Sequence, residues 1–163
     1  MILADPAALG AAVPVGMRLM GLDVGTKTIG LALSDTRLVI ASPLETIRRR
    51  RFRDDLGVLL ALIDRHGVGG LMIGLPLTLT GGDGPRTQGV RQFARNLDAV
   101  RDLPMILWDE RLSTAAVERE MIAADITRKR RREIIDRVAA AYILQGYLDF
   151  LARAAPRPRG QAG

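Results

Sequence analysis

The chain has no cysteine and a single histidine, His66, among its 163 residues. Without cysteine there can be no disulfide, zinc–thiolate cluster or thiol nucleophile. With one histidine, a two-histidine metal site cannot form. His66 itself stands at the expected end of a helix, just before Gly67, where the helix dipole favours a cation. Any chemistry therefore falls to carboxylates, hydroxyls, lysine or backbone. Aromatics are scarce, with three Phe, two Tyr and one Trp. That argues against base-stacking recognition of single strands, and Trp108 is expected in the core. No apolar run approaches the roughly 20 residues of a spanning helix, and residues 1–16 lack a basic start and a compact apolar stretch. Neither a membrane segment nor a signal peptide is expected, so a cytoplasmic protein is.

What is present is an ordinary apolar share, 48%, and an excess of positive charge, +6 overall. The first predicts one globular domain with a sizeable core. The second, carried mostly by arginine, favours a polyanionic partner, because the guanidinium fork pairs with phosphate. Residues 1–16 read as a flexible N-terminal extension, 17–152 as the folded domain and 153–163 as a disordered basic tail.

Apolar runs at Arg18–Asp23, Ile29–Asp35 and Val39–Ser42 predict a meander of three antiparallel strands, ended by Pro43. Phe52, Leu56, Leu59, Leu60 and Ile63 recur at helical spacing, predicting a helix over 52–66 stopped by Gly67. A short buried strand follows at Gly70–Gly74, then a loop over Leu75–Pro85. Val90, Phe93, Ala94 and Leu97 mark a second helix, and Pro104–Trp108 another strand. Ser113 or Thr114 would cap a third helix to about Ala124, and Asp125–Arg128 a linker. Ile135, Val138, Ala139, Tyr142 and Ile143 carry a last helix to about Ala152. The order βββαβαβαα predicts an α/β fold: a mixed five-stranded sheet, three antiparallel strands then parallel ones, with helices on both faces.

Three acids stand at the ends of these elements. Asp23 closes the first strand and enters the turn Gly25-Thr26-Lys27-Thr28, where backbone amides, hydroxyls and Lys27 suit a phosphate. Asp109-Glu110-Arg111 follows the last strand. Neighbours on a strand face opposite ways, so one acid of the pair is expected to face the site: Glu110, with Asp109 as the alternative, and Arg111 is expected to contact nucleic acid or, alternatively, to pair with these acids. Asp136 lies on the last helix beside Ala139, Ala140 and Ala141, whose small side chains let that helix approach the sheet. Carboxylates from three separate elements are the set needed to hold Mg²⁺ or Mn²⁺ for phosphodiester hydrolysis.

Basic residues add to the pattern. The runs Arg48-Arg49-Arg50-Arg51 and Arg128-Lys129-Arg130-Arg131-Arg132 would neutralise phosphates. Arg86 follows Pro85, which suits the first turn of a helix whose N-terminus would favour a phosphate.

These segments, in this order, resemble one family. Gly21-Leu22-Asp23-Val24-Gly25-Thr26-Lys27-Thr28-Ile29-Gly30, Gly74-Leu75-Pro76-Leu77, Gly84-Pro85-Arg86, Asp109-Glu110-Arg111-Leu112-Ser113-Thr114 and Asp136 with Ala139-Ala140 are similar to the YqgF family. The resemblance covers roughly residues 17–152. It implies the RNase H-like fold shared with the RuvC resolvase. It also implies a metal-dependent nuclease, either trimming the 5′ end of pre-16S ribosomal RNA in ribosome biogenesis or resolving Holliday junctions. A catalytically inactive RNA-binding module on the same fold is the competing expectation. By the same resemblance Asp23 is the first-strand catalytic carboxylate and Asp136 that of the C-terminal helix. The fourth-strand acid of RuvC has no counterpart, since Gly74-Leu75-Pro76 stands there, and Glu110 or Asp109 on the next strand replaces it. Thr28 stands where the family often has Arg. A monomer or weak homodimer is expected, two cuts in a symmetric junction requiring two sites.

Overall fold

The computed structural model describes residues 1–112 and 128–154, and the side chains of all of these except 128–133. Five strands form one sheet: β1 (Arg18–Val24), β2 (Thr28–Ser34), β3 (Ala41–Arg48), β4 (Val68–Leu75) and β5 (Met105–Asp109). Their spatial order is β3-β2-β1-β4-β5. β1 pairs antiparallel with β2 and parallel with β4, β2 pairs antiparallel with β3, and β4 pairs parallel with β5. This is the mixed sheet the sequence predicts.

The third strand runs further than expected. Pro43 does not end it but sits inside it, at a shift of register where Ala32 faces Pro43 and Leu31 faces Glu45. β3 is an edge strand, and a bulge on an edge is where a residue without an N–H costs the ladder least.

Period-2 alternation divides the sheet between two cores. Met20, Leu22 and Val24 of β1 join Ile29, Leu31, Ile73 and Leu75 on one face, against Leu59 and Ile63 of α2 (Phe52–Arg65) and Phe93 and Leu97 of α3 (Pro85–Val100). Leu19, Ala32, Met72, Ile106 and Trp108 point the other way. There they meet Ala140, Ile143, Leu144 and Tyr147 of α4 (Arg128–Ala154). Trp108 is core, its ring 5.2 Å from that of Tyr147 and 5.0 Å from that of Phe150. Helices thus cover both faces. Gly67, at φ +63°, follows the His66 cap of α2, as expected of a residue that must turn left-handed. Pro85 opens α3. The predicted cap at Ser113 or Thr114, the helix to Ala124, residues 125–127 of the linker and residues 155–163 of the tail lie outside the described residues. Arg128 already belongs to α4.

α4 lies unusually close to the sheet, and glycines in the strands make room for it. A Cβ on Gly21 would come within 2.8 Å of the Leu144 Cβ, and one on Gly30 within 2.0 Å of the Asp136 carbonyl oxygen.

The first sixteen residues correct the sequence reading: they are packed rather than loose. Leu9 is 0% and Val13 3% exposed, and both lie over Gly70, where a Cβ would strike Val13 at 2.7 Å. The start of the chain runs along the outer edge of β5, with the Leu3 N–H donating to the Met105 carbonyl and the Met105 N–H to the Met1 carbonyl. Tyr147 donates its hydroxyl to the Pro6 carbonyl at 2.6 Å. Burial, with the nearby Asp5 charge, pushes that phenol well above its ordinary range. The i, i+4 spacing of Leu9 and Val13 spans one turn and presents one small apolar face, enough to bury here but too short to stand out as a helix.

Candidate active site at the ends of the strands

Asp23 follows Leu19 and Gly21 in the alternation of β1, so its side chain belongs to the α4 face. It is 8% exposed, and its partner across the ladder is Gly30. The backbone of α4 rests on Gly30 at Asp136. The two aspartates expected to act together are therefore neighbours, brought from positions far apart in the chain by one glycine that lets a helix touch the sheet. The Asp136 carboxylate is held by the Thr28 hydroxyl, which donates to its Oδ2 at 2.5 Å.

Glu110 begins a single 3-10 turn, Glu110–Leu112, just past β5. Its Oε2 lies 3.4 Å from where a Gly74 Cβ would stand. Gly74 follows Ile73, the partner of Leu22, so it flanks Asp23 on the side opposite Gly30. Asp109 takes a different part. Arg111 donates to it through Nε at 2.9 Å and Nη2 at 2.7 Å, and reaches the carbonyls of Thr78 and Leu79 through Nη1. The Arg111 guanidinium beside Asp109 holds that carboxyl below the usual range, and Arg111 is raised in turn. Asp109 and Arg111 thus form a clamp on the 76–84 loop. Glu110 is the acid of the pair whose side chain lies beside Gly74.

The sequence reading brings Asp23, Glu110 and Asp136 to one corner; in the structure the backbone of Asp136 seats on Gly30, the ladder partner of Asp23, and the Glu110 side chain lies beside Gly74. The sequence reading also expects the three acids within reach of one ion. Among the described residues no three carboxylates stand close enough to hold a metal. Their donor chemistry nevertheless suits one: acidic oxygens alone, without nitrogen or sulfur, are the ligands of hard divalent cations such as Mg²⁺ and Mn²⁺.

The turn after β1 forms as expected, with the Gly25 N–H donating to the Thr28 carbonyl at 2.8 Å. Thr26 and Lys27 are exposed at its tip. Thr28, read from sequence as a phosphate contact, is engaged by Asp136 instead. Arg49 staples the turn from outside. Its Nη1 donates to the Gly25 carbonyl at 2.7 Å and its guanidinium lies 5.7 Å from the Phe93 ring centre. Neither partnership of Thr28 or Arg49 has a signal in the local sequence, because both are long-range.

Arg86 is exposed in the first turn of α3. Thr87, fully buried behind it, accepts from the Gly84 N–H at 3.0 Å and donates to the Pro76 carbonyl. That bond closes the loop onto the helix start. Arg128, Lys129, Arg130, Arg131 and Arg132 form the opening turns of α4, and their side chains lie outside the described residues.

Residues 17–150 match the family described as "RuvX: Holliday junction resolvase". A Paramagnetospirillum magneticum protein named "Putative pre-16S rRNA nuclease" is 56% identical over 149 residues, 91% of this chain and 96% of its own length. One of the same name from Sphingopyxis alaskensis is 59% identical over 143 residues, 88% of this chain and 93% of its own. Among solved structures, T. thermophilus RuvC in complex with a Holliday junction substrate superposes with a TM-score of 0.50. It is 14% identical, with 82% of this chain and 96% of that one covered, a likeness of fold alone. The sheet order, the helices on both faces and the sequence relatives agree: this chain has the RNase H-like fold and belongs to the RuvX family.

Proposed function

We propose that the protein is an endonuclease that hydrolyses phosphodiester bonds in structured nucleic acid, with the 5′ end of precursor 16S ribosomal RNA as its substrate in ribosome biogenesis. The observation that carries this reading is the seating of Asp136 on Gly30, the ladder partner of Asp23. That contact supports the reading by setting the backbone of Asp136 beside the strand end that carries Asp23, with Glu110 next to Gly74 on the other side. The names of relatives more than 50% identical support the ribosomal substrate.

Asp23, Glu110 and Asp136 would hold Mg²⁺ or Mn²⁺, which supplies Lewis-acid activation of water and neutralises charge on the scissile phosphate. Among the described residues no three acids stand at ligating distance, so holding one ion in common would require these side chains to move. Thr28 orients Asp136, the Gly25–Thr28 turn carries Lys27 at its exposed tip, and Arg49 fixes that turn. Arg86 and the basic start of α4 attract the polyanion without reading its bases.

The test is a cleavage assay on a precursor 16S 5′ segment and on a four-way DNA junction, each with and without Mn²⁺. Wild type should cut the RNA. Asp23→Asn should cut neither and bind RNA as wild type does. Wild-type turnover by Asp23→Asn would remove Asp23 from the chemistry, and cleavage of the junction alone would overturn the ribosomal substrate.

A further inference from the structure

The row of residues on the α4 face does not stop at the acids. Thr28, which holds Asp136, is paired across the ladder with Arg48, and Gly30 with Thr46. Thr46 and Arg48 therefore share the face of Gly30 and Asp23, two strand positions from Asp23, roughly 10 Å at the usual spacing. On the helix, the residue after Asp136 is Arg137. Glu45, Thr46, Arg48 and Arg137 line a groove of about 220 Å³ between the edge strand and α4. Among the described residues the lining holds two guanidinium groups and one carboxylate, and Thr28 links the two sides, paired with Arg48 across the ladder and bonded to Asp136.

We propose that this groove is a phosphate subsite. It would take a backbone phosphate of the nucleic-acid strand adjacent to the one at the acids, with Arg48 and Arg137 as the contacts. The placement fits the chemistry at three points. The acids at the centre repel a polyanion, so the charge that draws the strand across them has to lie to the side. Arginine is the side chain whose planar fork matches phosphate oxygens. Within the Arg48-Arg49-Arg50-Arg51 run the side chains take different directions: the Arg49 guanidinium donates to the Gly25 carbonyl and lies over Phe93. Arg48 is the member of the run directed into the groove. A contact to phosphate carries no base information, so the subsite would set register and affinity rather than sequence preference.

The subsite rests on the nucleic-acid reading above, and the experiment separates the two. Binding of a fluorescein-labelled precursor 16S 5′ segment is followed by anisotropy in EDTA across a range of KCl, for wild type, Arg48→Ala, Arg137→Ala and the double variant. Arg153→Ala serves as control: it makes the same charge change about 24 Å further along α4 at the helical rise. Arg48→Lys keeps the charge and guards against loss of fold. Each groove alanine should weaken binding about tenfold and lower the salt slope by about one, the double variant more than either. Arg48→Lys should stay within about threefold of wild type and Arg153→Ala should match it. In Mg²⁺ or Mn²⁺ the groove variants should raise KM and leave kcat within about twofold, as expected when binding is lost equally from ground and transition states. If the groove alanines bind with the affinity and salt slope of Arg153→Ala, the subsite is wrong, whatever the protein cleaves. If wild type cleaves nothing while the groove alanines still lose binding, the nuclease reading fails and the subsite stands.

Discussion

The Thr28 hydroxyl donates to the Asp136 carboxylate at 2.5 Å, joining two residues 108 apart in the chain. It fixes the rotamer of an acid that arrives on a helix, from a strand residue beside the Gly25 turn. A hydrogen-bonding partner behind a metal-binding acid is commonly worth a factor of 10–100 in activity or metal affinity. Thr28→Val keeps the shape and removes the donor. It should lower kcat about tenfold, near 1.4 kcal/mol in the barrier, with KM within about twofold, and Thr28→Ser should recover most of the loss. Single-turnover and steady-state kinetics on the RNA substrate decide this. Wild-type kcat in Thr28→Val would show that the bond orients nothing of consequence.

Gly30 and Gly74 flank Asp23 and look alike in sequence, yet they should respond differently to a methyl group. At Gly30 the new Cβ would stand 2.0 Å from the backbone oxygen of Asp136, and relieving that clash means lifting α4 from the sheet. Gly30→Ala should cost at least about 2 kcal/mol, by the usual penalty of overpacking, lowering Tm by roughly 6 °C for a domain this size. At Gly74 the nearest atom is the end of the Glu110 side chain at 3.4 Å, an ordinary contact. Gly74→Ala should stay within about 1 kcal/mol of wild type. Equal thermal melts for the two variants would mean that α4 does not seat on Gly30 as described.

The packed N-terminus makes a prediction of its own. Leu9 is fully buried in the α4-side core beside Val13 and Leu151. Truncating it leaves a cavity, and Leu9→Ala should cost about 2–5 kcal/mol, read as a shift in urea midpoint with unchanged slope. A loss below about 0.5 kcal/mol would identify residues 1–16 as a loose arm after all.

Asp35 gives the acid dependence. Burial opposes its charged form, but N–H bonds from Ile40, Val39 and neighbouring backbone outweigh this and hold the carboxyl below its ordinary range. Its Oδ1 accepts from Val39 at 2.7 Å and Ile40 at 3.0 Å, closing the turn between β2 and β3. A carboxyl lowered on folding contributes in full above its unfolded pKa, near 4, and loses that contribution as pH falls through the folded value. Asp35→Asn should therefore be less stable than wild type at pH 7 by about 1 kcal/mol, the scale of a partly exposed charged hydrogen bond. The gap should close on titration toward pH 2. A pH-independent difference in urea unfolding would contradict this origin.

The alternation of Met20, Leu22 and Val24 against Leu19 and Gly21, and the 3.6-residue spacing of Leu59 and Ile63, were enough to predict the sheet and, among the described residues, the helices Phe52–Arg65, Pro85–Val100 and Arg128–Ala154 in their order. Hydrophobic periodicity acts locally, and each segment carries its own. The chemical candidates were legible in the same way, as acids and arginines standing at the ends of those segments. Tertiary structure decided what each does. It divided Asp109 from Glu110, giving one to the Arg111 clamp and turning the other toward Gly74. It split the arginine run between a turn staple and a groove, assigned Thr28 to Asp136, and packed the first sixteen residues against Gly70. Apart from the Asp109–Arg111 pair itself, these depend on residues distant in sequence meeting in space. The Thr28–Asp136 bond in particular is set by the close approach of α4, which Gly30 permits, and no stretch of chain a few residues long carries that distance.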